Sequence, residues 1–207
     1  MTKTRIFSIS LIPLIIFLSY LLFDGIAGKI QLAKEIAADE ERVKNKLMLV
    51  RDAEKAYLAK YDEYTSSFDT LINFIKNDSI YITEQREIIT EREFDDPRKY
   101  LGDSVRIEID TIGIEPVIQN VFGPKYANYN WDKLPIIPRF ENDPANQDKR
   151  FEIFAGKVEK SGVMIDVIEV VDKYPLDITR KEDSEIPKRR FIRFGSRTEV
   201  TTSGNWE

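Results

Sequence analysis

The chain has 207 residues, with 31 Lys+Arg, 36 Asp+Glu, no Cys and no His, and a formal net charge of −5. Lack of Cys excludes disulfides, thiol nucleophiles, iron–sulfur ligation and cysteine-borne lipid anchors, and lack of His excludes Ser-His-Asp and Cys-His catalysis and ordinary zinc sites. An acidic chain is a poor nucleic-acid binder, while 42% hydrophobic and 32% charged residues is the composition of a folded protein.

Lys3 and Arg5 precede a run, residues 6–23, that carries no charge. As a helix this run spans about 27 Å, enough for a bilayer core. Residues 1–24 are therefore expected to be a transmembrane anchor. The two basic residues predict the amino terminus inside and residues 24–207 outside the cytoplasm. Pro13 is tolerated better in a span than in a soluble helix. The alternative is a cleaved secretory signal, with Gly25, Ile26 and Ala27 as a small-x-small site. Signal peptides usually have a shorter apolar region, of ~7–15 residues. Without Lys3 and Arg5 the remainder carries 29 basic and 36 acidic residues, a net charge of −7. Such a surface is not drawn to anionic headgroups.

Residues 25–61 lack Pro and are rich in Ala, Glu, Lys, Leu and Arg, which predicts one long helical stalk. Apolar spacing marks its two ends: Ile26, Ile30, Ala33 and Ala37, then Leu47, Val50, Tyr57 and Tyr61. The polar middle, residues 38–46, is expected to be solvated. A single rod over residues 6–61 would be on the order of 84 Å long. The heptad is not sustained, so a regular coiled coil is the minor reading.

Residues 62–207 are expected to form the head. Thr65, Ser66 and Ser67 are candidate N-caps for a short amphipathic helix bearing Phe68, Leu71, Ile72 and Ile75. The pattern then turns to β. Ile80 to Ile82 reads as a short strand, and Val105, Ile107 and Ile109 alternate with Arg106, Glu108 and Asp110 as a strand with one buried face. Residues 116–122 and 134–137 are weaker strands because of Pro116 and Pro135. Residues 151–171 read as a hairpin turning at Lys160, Ser161 and Gly162, and residues 190–193 and 199–202 as final short strands. Two polar stretches, 93–102 and 139–150, read as surface loops.

No motif assigns a catalytic residue, a metal ligand or a cofactor. Asp95, Asp96 and Asp103, or Glu141, Asp143 and Asp148, have oxygen chemistry suited to calcium, but neither group has the EF-hand spacing. Asp110 and Thr111 precede Ile112, not the Gly of an aspartic protease turn. Gly123, Pro124 and Lys125, and Ala155, Gly156 and Lys157, lack the P-loop spacing. Lys188, Arg189, Arg190, Arg193 and Arg197 cluster as either a charged edge strand or a patch for an acidic partner. Trp206 is either a cover for the core or a docking anchor.

Two resemblances add to this reading. The helix ending Ala53, Glu54, Lys55, Ala56, Tyr57, followed by Tyr61 to Tyr64 and then Thr65 to Leu71, resembles the helix-to-head transition of type IV pilins and type II secretion pseudopilins. It covers about residues 6–76. The leader-peptidase site of those families, Gly before Phe or Met with a Glu five residues into the mature helix, has no counterpart here. Residues 51–76, 151–169 (with Ala155, Gly156 and Gly162) and 203–207 resemble an uncharacterised family of single-pass envelope proteins of diderm bacteria. That resemblance implies an inner-membrane anchor with a periplasmic head and transfers no activity.

Together these features predict an α+β protein: a transmembrane helix over 1–24, a helical stalk over 25–61 and a mostly antiparallel β head with one packed helix over 62–207. The expected function is a non-enzymatic, structural component of an envelope-spanning assembly of the secretion or pilus kind. The alternative is a periplasmic ligand-binding or sensing module. The expected contact residues are Ile26, Ile30, Ala33, Ala37 and Trp206. The expected partners are lipid around residues 6–23 and other envelope proteins or a second copy, with no nucleic acid.

Overall fold

A computed structural model describes residues 3–91, 104–177 and 191–207. The architecture is α+β. A long helix, α1 (Lys3–Tyr61), is followed by a short one, α2 (Phe68–Asn77). A two-stranded antiparallel ribbon comes next, β1 (Ser79–Thr90) with β2 (Ser104–Pro116). A string of short helical turns leads to a three-stranded antiparallel sheet of β3 (Glu152–Lys160), β4 (Val163–Val171) and β5 (Arg193–Gly195), with β4 in the middle.

The 59 residues of α1 give a rod of about 88 Å. Pro13 lies inside it without ending it. The rod has two environments. From Ile12 to Phe23 every large apolar side chain is at least 50% exposed. From Asp39 onward the helix is packed into the head. Val43, Leu47, Val50 and Ala53 are buried and share one core with Leu71, Phe74 and Ile75 of α2, Ile168 and Val170 of β4, and Ile192 and Phe194.

The expectation that residues 38–46 are solvated is therefore corrected. Asp39, Val43 and Lys46 are buried. Glu41, Arg42 and Asn45 do face water, but Asp39 and Lys46 turn inward and are matched by polar groups of the head. Arg139 lies between Asp39, at 3.0 Å, and the fully buried Asp172, to which it is also paired. Lys46 donates to the carbonyls of Lys133, at 2.5 Å, and Ile136, at 2.6 Å, and pairs with Glu141. A charge set facing a complementary set is indistinguishable in sequence from one facing solvent. The exposed stalk shortens to about residues 24–38, and the boundary expected at residue 61 does not follow the core.

Several local features follow the sequence closely. Ser67 caps α2, its hydroxyl accepting from the Thr70 N–H, and Leu71, Ile72, Phe74 and Ile75 form the buried face. β3 and β4 are joined through Ser161 and Gly162, both at positive φ (54° and 81°), as the tight turns that match strand twist require. Other elements differ. Residues 116–122 and 134–137 do not form strands of their own: Pro116 only ends β2, Ile118–Phe122 is a π-helical turn, Leu134 and Pro135 lie in a turn, and Ile136 makes only an isolated bridge to Arg150. The final strand is β5, at 193–195, and residues 199–202 are irregular. Gly195 holds φ at 76°, and a Cβ there would stand 2.0 Å from the Ile168 carbonyl oxygen, so only glycine lets this edge close on β4. Residues 93–102, with Asp95 and Asp96, and Asp103, Lys188, Arg189 and Arg190 lie outside the described residues.

Two predictions follow from the shared core. A fragment beginning at residue 38 should unfold in one cooperative transition by circular dichroism in urea, whereas residues 62–207 alone should show none, having lost the α1 side of the core. Arg139→Leu leaves the fully buried Asp172 without its cation and Asp39 with Arg42 alone, at 3.4 Å, so it should cost about 3–5 kcal/mol in the same measurement.

Candidate interaction surfaces

The stretch of α1 between the apolar run and the head carries the contact residues expected from sequence. Ile26 and Ile30 are 52% and 51% exposed, and Ala33 and Ala37 are exposed as well. Among the described residues nothing folds back over them. Helical geometry puts the four on one face. Leu32, 54% exposed, lies on another face and was not expected. The exposed part of the rod is thus apolar on more than one side.

Trp206 has a different setting. It is half-buried and packs against the core. Its ring lies over Gly204, where a Cβ would come within 2.4 Å of it. Next to it, Glu207 pairs with Arg51 of α1. Of its two sequence readings, these contacts match the cover for the core.

The largest surface missed by sequence reasoning is the ribbon. The alternation in 105–109 does form a strand, but the face expected to be buried is open. In the β1–β2 register, Tyr81 faces Ile114, Gln85 faces Ile109, Glu87 faces Ile107 and Ile89 faces Val105. Paired residues point to the same side of a sheet. Tyr81, Ile89, Val105, Ile107, Ile109 and Ile114 therefore share one face, and each is at least 55% exposed. The opposite face mixes Ile82 and Ile88 with charges, Glu84 and Arg86 being paired at 2.6 Å and Arg106 lying near Glu108 at 3.7 Å. The root of the ribbon is fastened to the end of α1. Lys60 pairs with Asp78 and donates to the Ser79 carbonyl at 2.8 Å, and the Tyr61 hydroxyl donates to Asp78 at 2.6 Å. Strand periodicity reveals that a face is apolar; it does not reveal whether the same chain supplies the cover.

The polar groups of the head are mostly occupied. Arg193 and Arg197, from the basic cluster, hold the buried Glu169 at 2.5 and 2.7 Å, and Arg197 also reaches Glu152 at 2.9 Å. Asp143 accepts the Ala145 N–H as a turn cap. Among the described residues no group of three or more acidic side chains is placed to hold a metal ion. A cleft of about 160 Å³ beside β5 is lined by Arg193, Ser196, Glu199, Thr201 and Asn205, among others. The Ser196 hydroxyl accepts the N–H groups of Thr198 and Glu199, so it serves its own turn.

One acid has a strongly altered proton affinity. Glu54 of α1 is fully buried, and burial pushes its pKa from 4.5 up to about 8, against the opposing effect of the Thr65 N–H that its carboxylate accepts at 3.1 Å. It has no opening to solvent, so its chemistry is structural: it ties the end of α1 to the segment that starts α2.

No family model matches the chain, and no curated protein or solved structure matches it.

Glu54 sets a pH dependence. The folded state keeps this proton to higher pH than the unfolded chain does, so its contribution is complete below about pH 4.5 and declines as pH rises to about 8. The loss should approach ~1.4 kcal/mol per pH unit in mid-window. Urea midpoints from pH 5 to 8 should therefore fall for the native chain and fall less steeply for Glu54→Gln.

Proposed function

We propose that the protein is a membrane-anchored interaction component of an envelope-spanning assembly, of the secretion or pilus kind. The observation that carries this reading is the two-part character of α1. One candidate membrane-spanning helix, with a mean hydropathy of 2.0 in its apolar window and none of that window buried, runs without a break into the core of the head. It is compatible with a single-pass anchor. A helix apolar all round fits a bilayer, and the buried ion pairs at Asp39 and Lys46 hold the head on the same rod. Residue 24 and residue 39 are about 22 Å apart along the axis, so the head stands off the end of the apolar run by that distance.

The orientation, with the head outside the cytoplasm, rests on Lys3 and Arg5 ahead of the apolar run, and the inner membrane and periplasm on the resemblance to single-pass envelope proteins of diderm bacteria. The pseudopilin-like transition around residues 53–71 points the same way. The open apolar faces at residues 26–37 and on the ribbon support contact surfaces over a ligand site. Contiguous exposed apolar patches commonly mark interaction sites. The cleft beside β5 is smaller than the ~300–1,000 Å³ usual for small-molecule pockets.

Two measurements test this. A reporter fused after Glu207 should be active in the periplasm, with the chain retained in membranes after an alkaline wash; a soluble fragment starting near Gly28 would show cleavage instead. Ile30→Glu combined with Ala33→Glu places two charges on the exposed stripe, where burial by a partner would be strongly unfavourable. The double variant should lose copurifying envelope proteins while the full chain keeps its unfolding midpoint. Retention of those proteins, with their loss on substituting head residues, would move the contact to the head.

A further inference from the structure

β1 pairs with β2 on one side only, and among the described residues its other edge meets no strand. Exposed edges are usually blunted by Pro, by charged side chains, Lys above all, or by a bulge. β1 has no Pro, Lys or bulge over its 12 residues; its charges are Glu84, Arg86 and Glu87, which a pairing strand would have to match. The irregularity of the ribbon lies on β2, where Ile112 is the extra residue and Pro116 ends the strand. A two-stranded ribbon with an open apolar face is marginal alone, and further strands would stabilise it.

We propose that this edge of β1 pairs with the same edge of a second copy, antiparallel about a two-fold axis through Gln85. The two ribbons then form one four-stranded sheet in the order β2, β1, β1, β2. A two-fold axis normal to the sheet keeps each face on its own side, so the axis must pass through a residue position. With Gln85 at the centre, Glu84 stands opposite Arg86 of the second copy, Thr83 opposite Glu87, Ile82 opposite Ile88, and Tyr81 opposite Ile89. Across residues 81–89 every apolar residue meets an apolar one and each acid–base pair occurs twice, while nearer the end of the strand Ile80 meets Thr90. The adjacent registers fail. Centring on Glu84 sets Glu84 against itself and Ile82 against Arg86. Centring on Arg86 sets Arg86 against itself and Ile88 against Glu84. Within one chain Glu84 also faces Asp110 across the ribbon, a like-charge pair that a second Arg86 alongside would offset. The joined sheet sets the apolar faces of both ribbons side by side on one surface. The proposal does not depend on whether α1 crosses a membrane.

The chain has no Cys, so an installed one reports alone. In full-length protein, Gln85→Cys would bring two thiols to directly opposed positions, with Cα atoms about 4.5–5.5 Å apart, within disulfide reach. Mild oxidation should give a disulfide-linked dimer on a non-reducing gel. Thr83→Cys alone and Glu87→Cys alone should give little, because like positions would be about 14 Å apart. A mixture of those two chains should crosslink. In the Gln85→Cys background, Arg86→Glu or Glu84→Arg should each cut the yield about ten-fold, and mixing the two variants should restore it. Restoration separates lost pairing from a ribbon that fails to form. A monomeric Gln85→Cys chain, equal crosslinking of Thr83→Cys alone, or no restoration in the mixture would overturn the proposal.

Discussion

The structure depends on how the second half of α1 enters the head. Val43, Leu47, Val50 and Ala53 complete a core that the sheet and α2 cannot close themselves. Burying such side chains contributes about 1.5–3 kcal/mol each for the larger ones. The polar residues between them would oppose this burial unless matched. Arg139 matches Asp39 and Asp172, and the carbonyls of Lys133 and Ile136 with Glu141 match Lys46. These contacts contribute less to net stability than to placement, since an ion pair taken from water recovers little beyond its desolvation cost. Their effect is to fix which turn of α1 meets which loop.

That placement has a mechanical consequence. The head does not hang from a flexible linker; it is built around the rod. The apolar run, the exposed stripe at residues 26–37 and the core segment belong to one continuous helix. Displacement along or about the axis at one end is carried to the other. The ribbon extends the same logic, because Lys60, Tyr61 and Asp78 fasten its root to the end of α1. Two apolar surfaces therefore hold defined positions on one rigid frame.

Much of the local structure was legible in sequence. The Ser67 cap, the face of α2 and the Ser161–Gly162 turn rest on interactions within a few residues, and short-range chemistry specifies them. Phe74 was missed because it widens the α2 face beyond the four positions at strict helical spacing. The segments 116–122 and 134–137 were misread because short apolar runs next to proline suit a helical turn as well as a strand. The candidate surface was half legible. Ile26, Ile30, Ala33 and Ala37 stand exposed as the stripe implied, whereas the ribbon face looked like core.

The sequence by itself determined the elements whose signals are local: a charge-free helical run, an unbroken helix beyond it, one capped amphipathic helix and one tight β turn. It also determined the chemistry that is missing, since Cys and His cannot be supplied by folding. Only the tertiary structure decided which polar residues of α1 face protein and which face water. It alone decided that the alternating residues of the ribbon have no cover among the described residues. The physical reason is common to both. Helix and strand periods record that side chains differ from face to face. Burial depends on what stands opposite, and those partners lie far away in sequence, as Arg139 does from Asp39.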